Sequence, residues 1–128
     1  MGFRKLINVA PVAKPRMTRR DRWAKRDIVV RYNSYKDMVR LLAGDWELPN
    51  EFRVIFGIPF PKSYGPKKRE ELLGKPHKIR PDIDNLLKGL FDAFRVEDGD
   101  IWHVEASKIW TSGDGFILIE SFDEKNEY

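Results

Sequence analysis

Asp82-Ile83-Asp84-Asn85 sets two carboxylates at the head of the strongest helical pattern in the chain. Hard divalent cations such as Mg²⁺ take oxygen ligands, usually one or two protein carboxylates with water and substrate phosphate completing the shell. A D-x-D pair at a helix start can supply them. The same pair has a structural use, because acids there cap free N–H groups and match the helix dipole. Lys88 follows Asp84 by four residues and shares the polar face with Asn85 and Asp92. It can add an i,i+4 ion pair worth about 0.2–0.5 kcal/mol, or it can place a cation on a phosphate near a metal. A second set of acids, Glu97, Asp98 and Asp100, lies just beyond the helix. An acidic turn is its structural alternative. A helix over 83–94 would be ~18 Å long, so these acids reach the first pair only if residues 95–100 double back or a second subunit brings them.

The charge distribution suggests a substrate. Residues 1–80 carry 20 Lys/Arg against 8 Asp/Glu, while residues 81–128 carry 4 against 12. A basic half points to a polyanion. An acidic half repels phosphate unless it holds cations. The basic residues form two groups. Lys14, Arg16, Arg19, Arg20, Arg22, Lys25 and Arg26 fall in a proline-bearing loop over 11–27, and Lys67, Lys68, Arg69, Lys75, Lys78 and Arg80 fall in a surface segment over 62–80. Both groups are candidates for gripping a phosphate backbone, which gives affinity without sequence reading. Trp23 lies inside the first group, where it could stack on an unpaired base. The other three tryptophans read as core. His77 reads as a loop residue within reach of phosphate and His103 as a surface strand residue.

The elements that must position these residues follow from periodicity. Phe3–Val9 alternates as a short strand, and Tyr35, Met38, Val39 and Leu42 mark a helix over 32–42. Phe52–Phe60 is a strand stopped by prolines. Ile83, Leu86, Leu87, Leu90, Phe91 and Phe94 form one apolar helical stripe, with Asp82 at the N-cap. Ile101–Trp110 and Gly115–Phe122 read as strands joined in a hairpin by Thr111–Gly115. The order β-α-β-α-β-β predicts an α+β single domain over 1–128 with a small mixed sheet and an acidic, frayed tail over 123–128. The chain has no cysteine, which removes disulfides and thiol chemistry. No apolar run approaches a membrane span, and none follows Met1–Lys5 as in a signal peptide. A cytoplasmic protein is expected.

Several of these pieces together resemble one family. Lys14-Pro15-Arg16-Met17-Thr18, Pro61-Lys62-Ser63-Tyr64, Lys67–Glu71, Gly74-Lys75-Pro76-His77 and, above all, Pro81-Asp82-Ile83-Asp84-Asn85-Leu86-Leu87-Lys88-Gly89-Leu90-Phe91-Asp92-Ala93 with Glu97-Asp98 downstream are similar to the RusA-type Holliday junction resolvases of bacteriophages and prophages. The resemblance runs from about Lys14 to Trp110. It implies a homodimeric endonuclease of DNA recombination and repair that nicks four-way junctions in pairs, with Mg²⁺, or Mn²⁺ in its place, and no small-molecule cofactor. By position it puts the catalytic, metal-binding aspartates on Asp82, Asp84 and Asp98, and the essential lysine on Lys88. Gly99-Asp100 departs from the family's usual pair and leaves Asp100 as an alternative to Asp98. A branched-DNA binding module without catalysis is the competing reading, in which the acids are caps and turns. Cleavage of a junction with and without Mg²⁺ separates the two.

Overall fold

A computed structural model describes residues 2–16 and 27–122. Strand β2 (Glu51–Pro59) organises the sheet. Phe52, Val54 and Phe56 are fully buried on it, and each such side chain contributes about 1.5–3 kcal/mol by leaving water. The strand accordingly takes an interior position, with neighbours on both edges. The sheet order is β1-β4-β2-β3, where β1 is Arg4–Ile7, β3 is His103–Thr111 and β4 is Phe116–Glu120. β3 runs parallel to β2, while β4 is antiparallel to both β2 and β1.

Parallel neighbours need a long crossover. Here it contains α2 (Pro66–Leu72), α3 (Ile83–Phe94) and one 3₁₀ turn (Asp98–Asp100). Helix α1 (Asp27–Ala43) joins β1 to β2 and packs beside α3. Leu86 and Leu90 of α3, Val39 and Tyr35 of α1, and Ile7, Ile117 and Ile119 of the sheet close one core. The mixed α+β single-sheet architecture is the expected one. Among the described residues, no helix is long and apolar enough to cross a membrane.

Residues 66–72, which the sequence allows as a loop or a short surface helix, form a helix, so the order is β-α-β-α-α-β-β. Two details differ from expectation. Helix α1 begins at Asp27, and its buried face is Val29, Tyr32, Tyr35, Val39 and Ala43, leaving Met38 and Leu42 exposed. Lastly, β3 and β4 do not pair as a hairpin, because β2 lies between them. Thr111–Gly115 reverses the chain but carries it across the end of β2. The turn signal fixes the reversal, while the more deeply buried strand takes the place between the two arms.

That crossing requires Gly115. Its φ is +96°, and a Cβ would lie 2.9 Å from Ala10 Cα and 3.0 Å from the Gly57 carbonyl oxygen. Gly113 also has positive φ (+78°), but nothing lies within 4 Å of its Cβ position. Gly113→Ala is expected to cost only the left-handed penalty of about 1–2 kcal/mol. Gly115→Ala adds a backbone clash, and its urea midpoint should fall further. Equal midpoints would show that the crossing is looser than described.

Candidate active site

Helix α3 carries most of the site. Asp82 occupies its N-cap with extended backbone, and Asp84 is in the first turn. The helix begins there, and Leu86 N–H donates to the Asp82 carbonyl at 3.1 Å. The Asp82 side chain nevertheless makes no capping bond. Asp84 and Lys88 form no ion pair, so the i,i+4 alternative is not realised. Among the described residues, the carboxylates of Asp82, Asp84 and Asp98 are all without a hydrogen-bond or salt-bridge partner, and all three residues are exposed.

A cleft of about 460 Å³ opens along the same helix, lined by Lys14, Pro15, Arg16, Asn85, Lys88, Asp92 and Asp98. A second hollow, bordered by Lys36, Asp92, Arg95, Glu97 and Asp98, shares Asp92 and Asp98 with it. Asp98 arrives there because the chain doubles back within one subunit. Arg95 adopts left-handed backbone (φ 57°), and its N–H returns to the Asp92 carbonyl at 3.1 Å. Val96 N–H caps the Phe91 carbonyl at 3.1 Å. Asp82 and Asp84 stand at the helix start, outside the cleft lining. Asp100 lines neither hollow.

The basic side of the cleft is held by direct backbone packing. Lys14 N–H donates to the Asn85 carbonyl at 2.9 Å. Gly89 lets this segment approach, since a Cβ there would sit 2.8 Å from the Val12 carbonyl oxygen. Lys14 Nζ then pairs with Asp92 at 3.0 Å, and Tyr32 donates its hydroxyl to the same carboxylate at 2.6 Å. Burial alone would raise the Asp92 pKa, but the hydrogen bonds from Tyr32 and Lys14 and the charges of Lys14 and Lys36 outweigh it and hold the carboxyl below its usual value. Burial, and then the bond to Asp92, push the Tyr32 hydroxyl far above its usual range. Arg40 donates to the Ala93 and Asp92 carbonyls and closes the C-terminal end of α3.

Asp92 thus stabilises the fold above the ordinary carboxyl pKa of 3.8, and that contribution disappears as pH falls through its lowered native value. The urea midpoint of the wild-type chain should drop on acidification below about pH 4, and that of Asp92→Asn should drop less across the same window. Parallel curves would mean that Asp92 is not the linked group.

The remaining candidate residues are spread more widely. Arg19, Arg20, Arg22, Lys25, Arg26, Trp23 and the tail over 123–128 lie outside the described residues. Lys67 and Lys68 are exposed on α2, with Lys68 Nζ 3.9 Å from the centre of the Tyr64 ring. Arg69 is engaged locally, donating to the Tyr64 and Pro61 carbonyls. Lys75, Lys78 and Arg80 are exposed on the approach to α3. His103 is exposed, as its strand position suggests. His77 is not a phosphate contact. It is 4% exposed, its ring packs 4.3 Å from that of Trp110, and burial, with the nearby Lys108 charge, lowers its pKa. Trp110 and Trp46 belong to packed clusters, but Trp102 is 70% exposed.

The contacts of two charged side chains escape a reading by spacing. Asp92 reads as one more polar-face residue, although its place four positions after Lys88 on an apolar helix was the available signal. Lys108 reads as a strand residue, yet its ammonium reaches the carbonyls of Ile79 and Pro81.

Asp82 and Asp84 suit Mg²⁺ in donor chemistry, being two free oxygen ligands within one helical turn. No group of three or more Asp, Glu or His among the described residues converges to hold a cation. A cation held by this pair would have an open shell completed by water and phosphate, not a closed protein cage.

A family model described as Endodeoxyribonuclease RusA matches residues 8–112, a span that contains every cleft residue and all of α3. No curated protein matches the chain.

Proposed function

The chain belongs to the RusA endodeoxyribonuclease family, and we propose that it is a Mg²⁺-dependent enzyme that resolves Holliday junctions and related branched DNA by paired phosphodiester nicks. The observation that carries this reading is the division of labour among the acids. Asp92 does the structural work, paired with Lys14 and bonded to Tyr32. Among the described residues, Asp82, Asp84 and Asp98 make no side-chain hydrogen bond or salt bridge, and they remain exposed on or beside a helix whose flank carries cations. Exposed carboxylates that no neighbouring side chain engages remain available to a cation, which is what a metal–phosphate site requires.

Asp82 and Asp84 would hold the cation, with Asp98 as the third carboxylate. When bound, Mg²⁺ supplies polarisation of the phosphate and an acidified water. Lys88 donates to a non-bridging phosphate oxygen and stabilises the charge that develops there. Lys14 and Arg16 meet the flanking backbone across the cleft, and the basic residues over 19–26 and 67–80 extend that grip. A four-way junction has two-fold symmetry, and an isologous dimer presents it with two equal sites. The enzyme would act in the cytoplasm on the DNA of a bacterium or an infecting phage.

The test is cleavage of an end-labelled four-way junction in Mg²⁺, in Mn²⁺ and in EDTA, beside a linear duplex of the same sequence. Paired nicks in the junction with either metal, none in EDTA and an intact duplex are expected. Tight junction binding without nicks in any metal would replace the enzyme with a binding module.

A further inference from the structure

The Asp82 carboxylate has no capping bond to orient it, so its direction depends on how its backbone is held. On the helix side, the Asp82 carbonyl accepts from Leu86 N–H at 3.1 Å. On the other side the chain is poorly secured. Residues 74–77 are stitched along β3 by backbone bonds: Gly74 N–H to the Trp110 carbonyl, Trp110 N–H to Lys75, and His77 N–H to Lys108. Beyond His77 this ladder stops. Lys78, Ile79 and Arg80 are exposed, and Ile79 presents 54% of its surface to solvent. Among the described residues, the polar ties between His77 and Asp82 come from one side chain. Lys108 Nζ donates to the Ile79 carbonyl and, at 2.6 Å, to the Pro81 carbonyl.

We infer that Lys108 is a positioning residue for the proposed site: its ammonium clamps the two carbonyls just ahead of Asp82 to β3 and so fixes where that carboxylate stands. The inference rests on the assignment of Asp82 to the cleavage site. Lys108 is suited to the role because it is half-buried on a strand that is itself hydrogen-bonded to β2 along its length. An ammonium has three donors and can serve two carbonyls at once. A bond from the Pro81 carbonyl to the rigid sheet leaves Asp82 little freedom, since the next residue enters the helix. Lys108 touches neither substrate nor the scissile bond, and it acts only through Asp82.

The experiment compares Lys108→Met, Lys108→Arg and Asp82→Asn in the full chain. Junction affinity is measured in EDTA, Mn²⁺ binding by electron paramagnetic resonance, and kcat and KM on the four-way junction. Lys108→Met is expected to keep junction affinity within about twofold while kcat falls about 10²-fold, the scale of a 1 Å misplacement of a reacting group. Its Mn²⁺ affinity should weaken, and Lys108→Arg, which can still donate to both carbonyls, should recover most of kcat. If Lys108→Met does not fold, Lys108→Gln takes its place, keeping a shorter, uncharged donor and showing an intermediate kcat. Wild-type kcat and Mn²⁺ affinity in the folded Met or Gln variant would overturn the inference, as would a loss confined to junction affinity, which would make Lys108 a DNA contact. Asp82→Asn separates the two levels. If it cuts at the wild-type rate, the site assignment fails. If it is inactive while Lys108→Met is normal, only the positioning role fails.

Discussion

Asp82→Asn and Asp84→Asn are each expected to abolish Mg²⁺-dependent cutting of a four-way junction while leaving the junction bound as tightly as before or more tightly. Asparagine keeps the shape and one oxygen but removes the charge that would hold the cation. Metal-derived stabilisation of the transition state is worth several kcal/mol, and at 1.36 kcal/mol per decade its loss lowers the rate roughly 10³-fold or more. Binding should not suffer, because removing an anion from a surface that meets phosphate reduces repulsion. Stability should not suffer either. Replacing a working Asp cap with a non-capping residue costs about 1 kcal/mol, but the Asp82 side chain makes no capping bond to lose. The unfolding free energies of both variants, measured by urea titration, should therefore stay within about 0.5 kcal/mol of wild type. Two outcomes would remove the assignment: cleavage at the wild-type rate, or a loss of activity that simply follows a loss of stability.

The parts of this molecule legible in the sequence are those fixed by local pattern. The stripe from Ile83 to Phe94 has helical spacing and a polar opposite face, so both the helix and the placement of Asp82 at its head follow directly. Leu86, Leu90 and Phe91 are buried on it. The alternation of Phe52, Val54 and Phe56 gives β2 in the same way. What depends on contacts distant in sequence was not legible. Thr111–Gly115 has the composition of a hairpin turn, but composition does not say which strand will lie between its arms. His77 sits in a basic, glycine- and proline-bearing segment that reads as solvent-exposed, yet a backbone bond to the Lys108 carbonyl and the face of Trp110 draw it into the interior. Asp92 has the same residue type as the proposed catalytic acids. Only the arrival of Tyr32 from α1 and Lys14 from the segment after β1 separates it from them. The two charge halves of the chain, puzzling as a sequence, meet at the cleft, where Lys14 and Arg16 face Lys88, Asp92 and Asp98.

Asp98→Asn is expected to cripple cleavage, and Asp100→Asn to leave it nearly unchanged. The sequence alone allows either residue to supply the third carboxylate, since both precede the strand and both lie in the same acidic turn. Asp98 lines the cleft together with Lys88 and Asn85, and it also borders the adjoining hollow. Asp100 lines neither, and its backbone N–H turns back to the Glu97 carbonyl at 3.0 Å within the 3₁₀ turn. The reversal at Arg95 is what carries residue 98, and not residue 100, against the flank of α3. An acid beside Lys88 can hold a cation or orient water next to the phosphate that Lys88 binds. Removing one preorganised electrostatic group of this kind lowers kcat by about 10²–10³-fold. An exposed side chain with no such role changes the free energy by at most about 0.5 kcal/mol, which is about twofold in rate. Single-turnover cleavage at saturating enzyme reads the difference without interference from binding. If Asp100→Asn is the crippled variant and Asp98→Asn is not, the third carboxylate moves two residues along the chain, and the 3₁₀ turn must rearrange when DNA binds to bring Asp100 to the cleft.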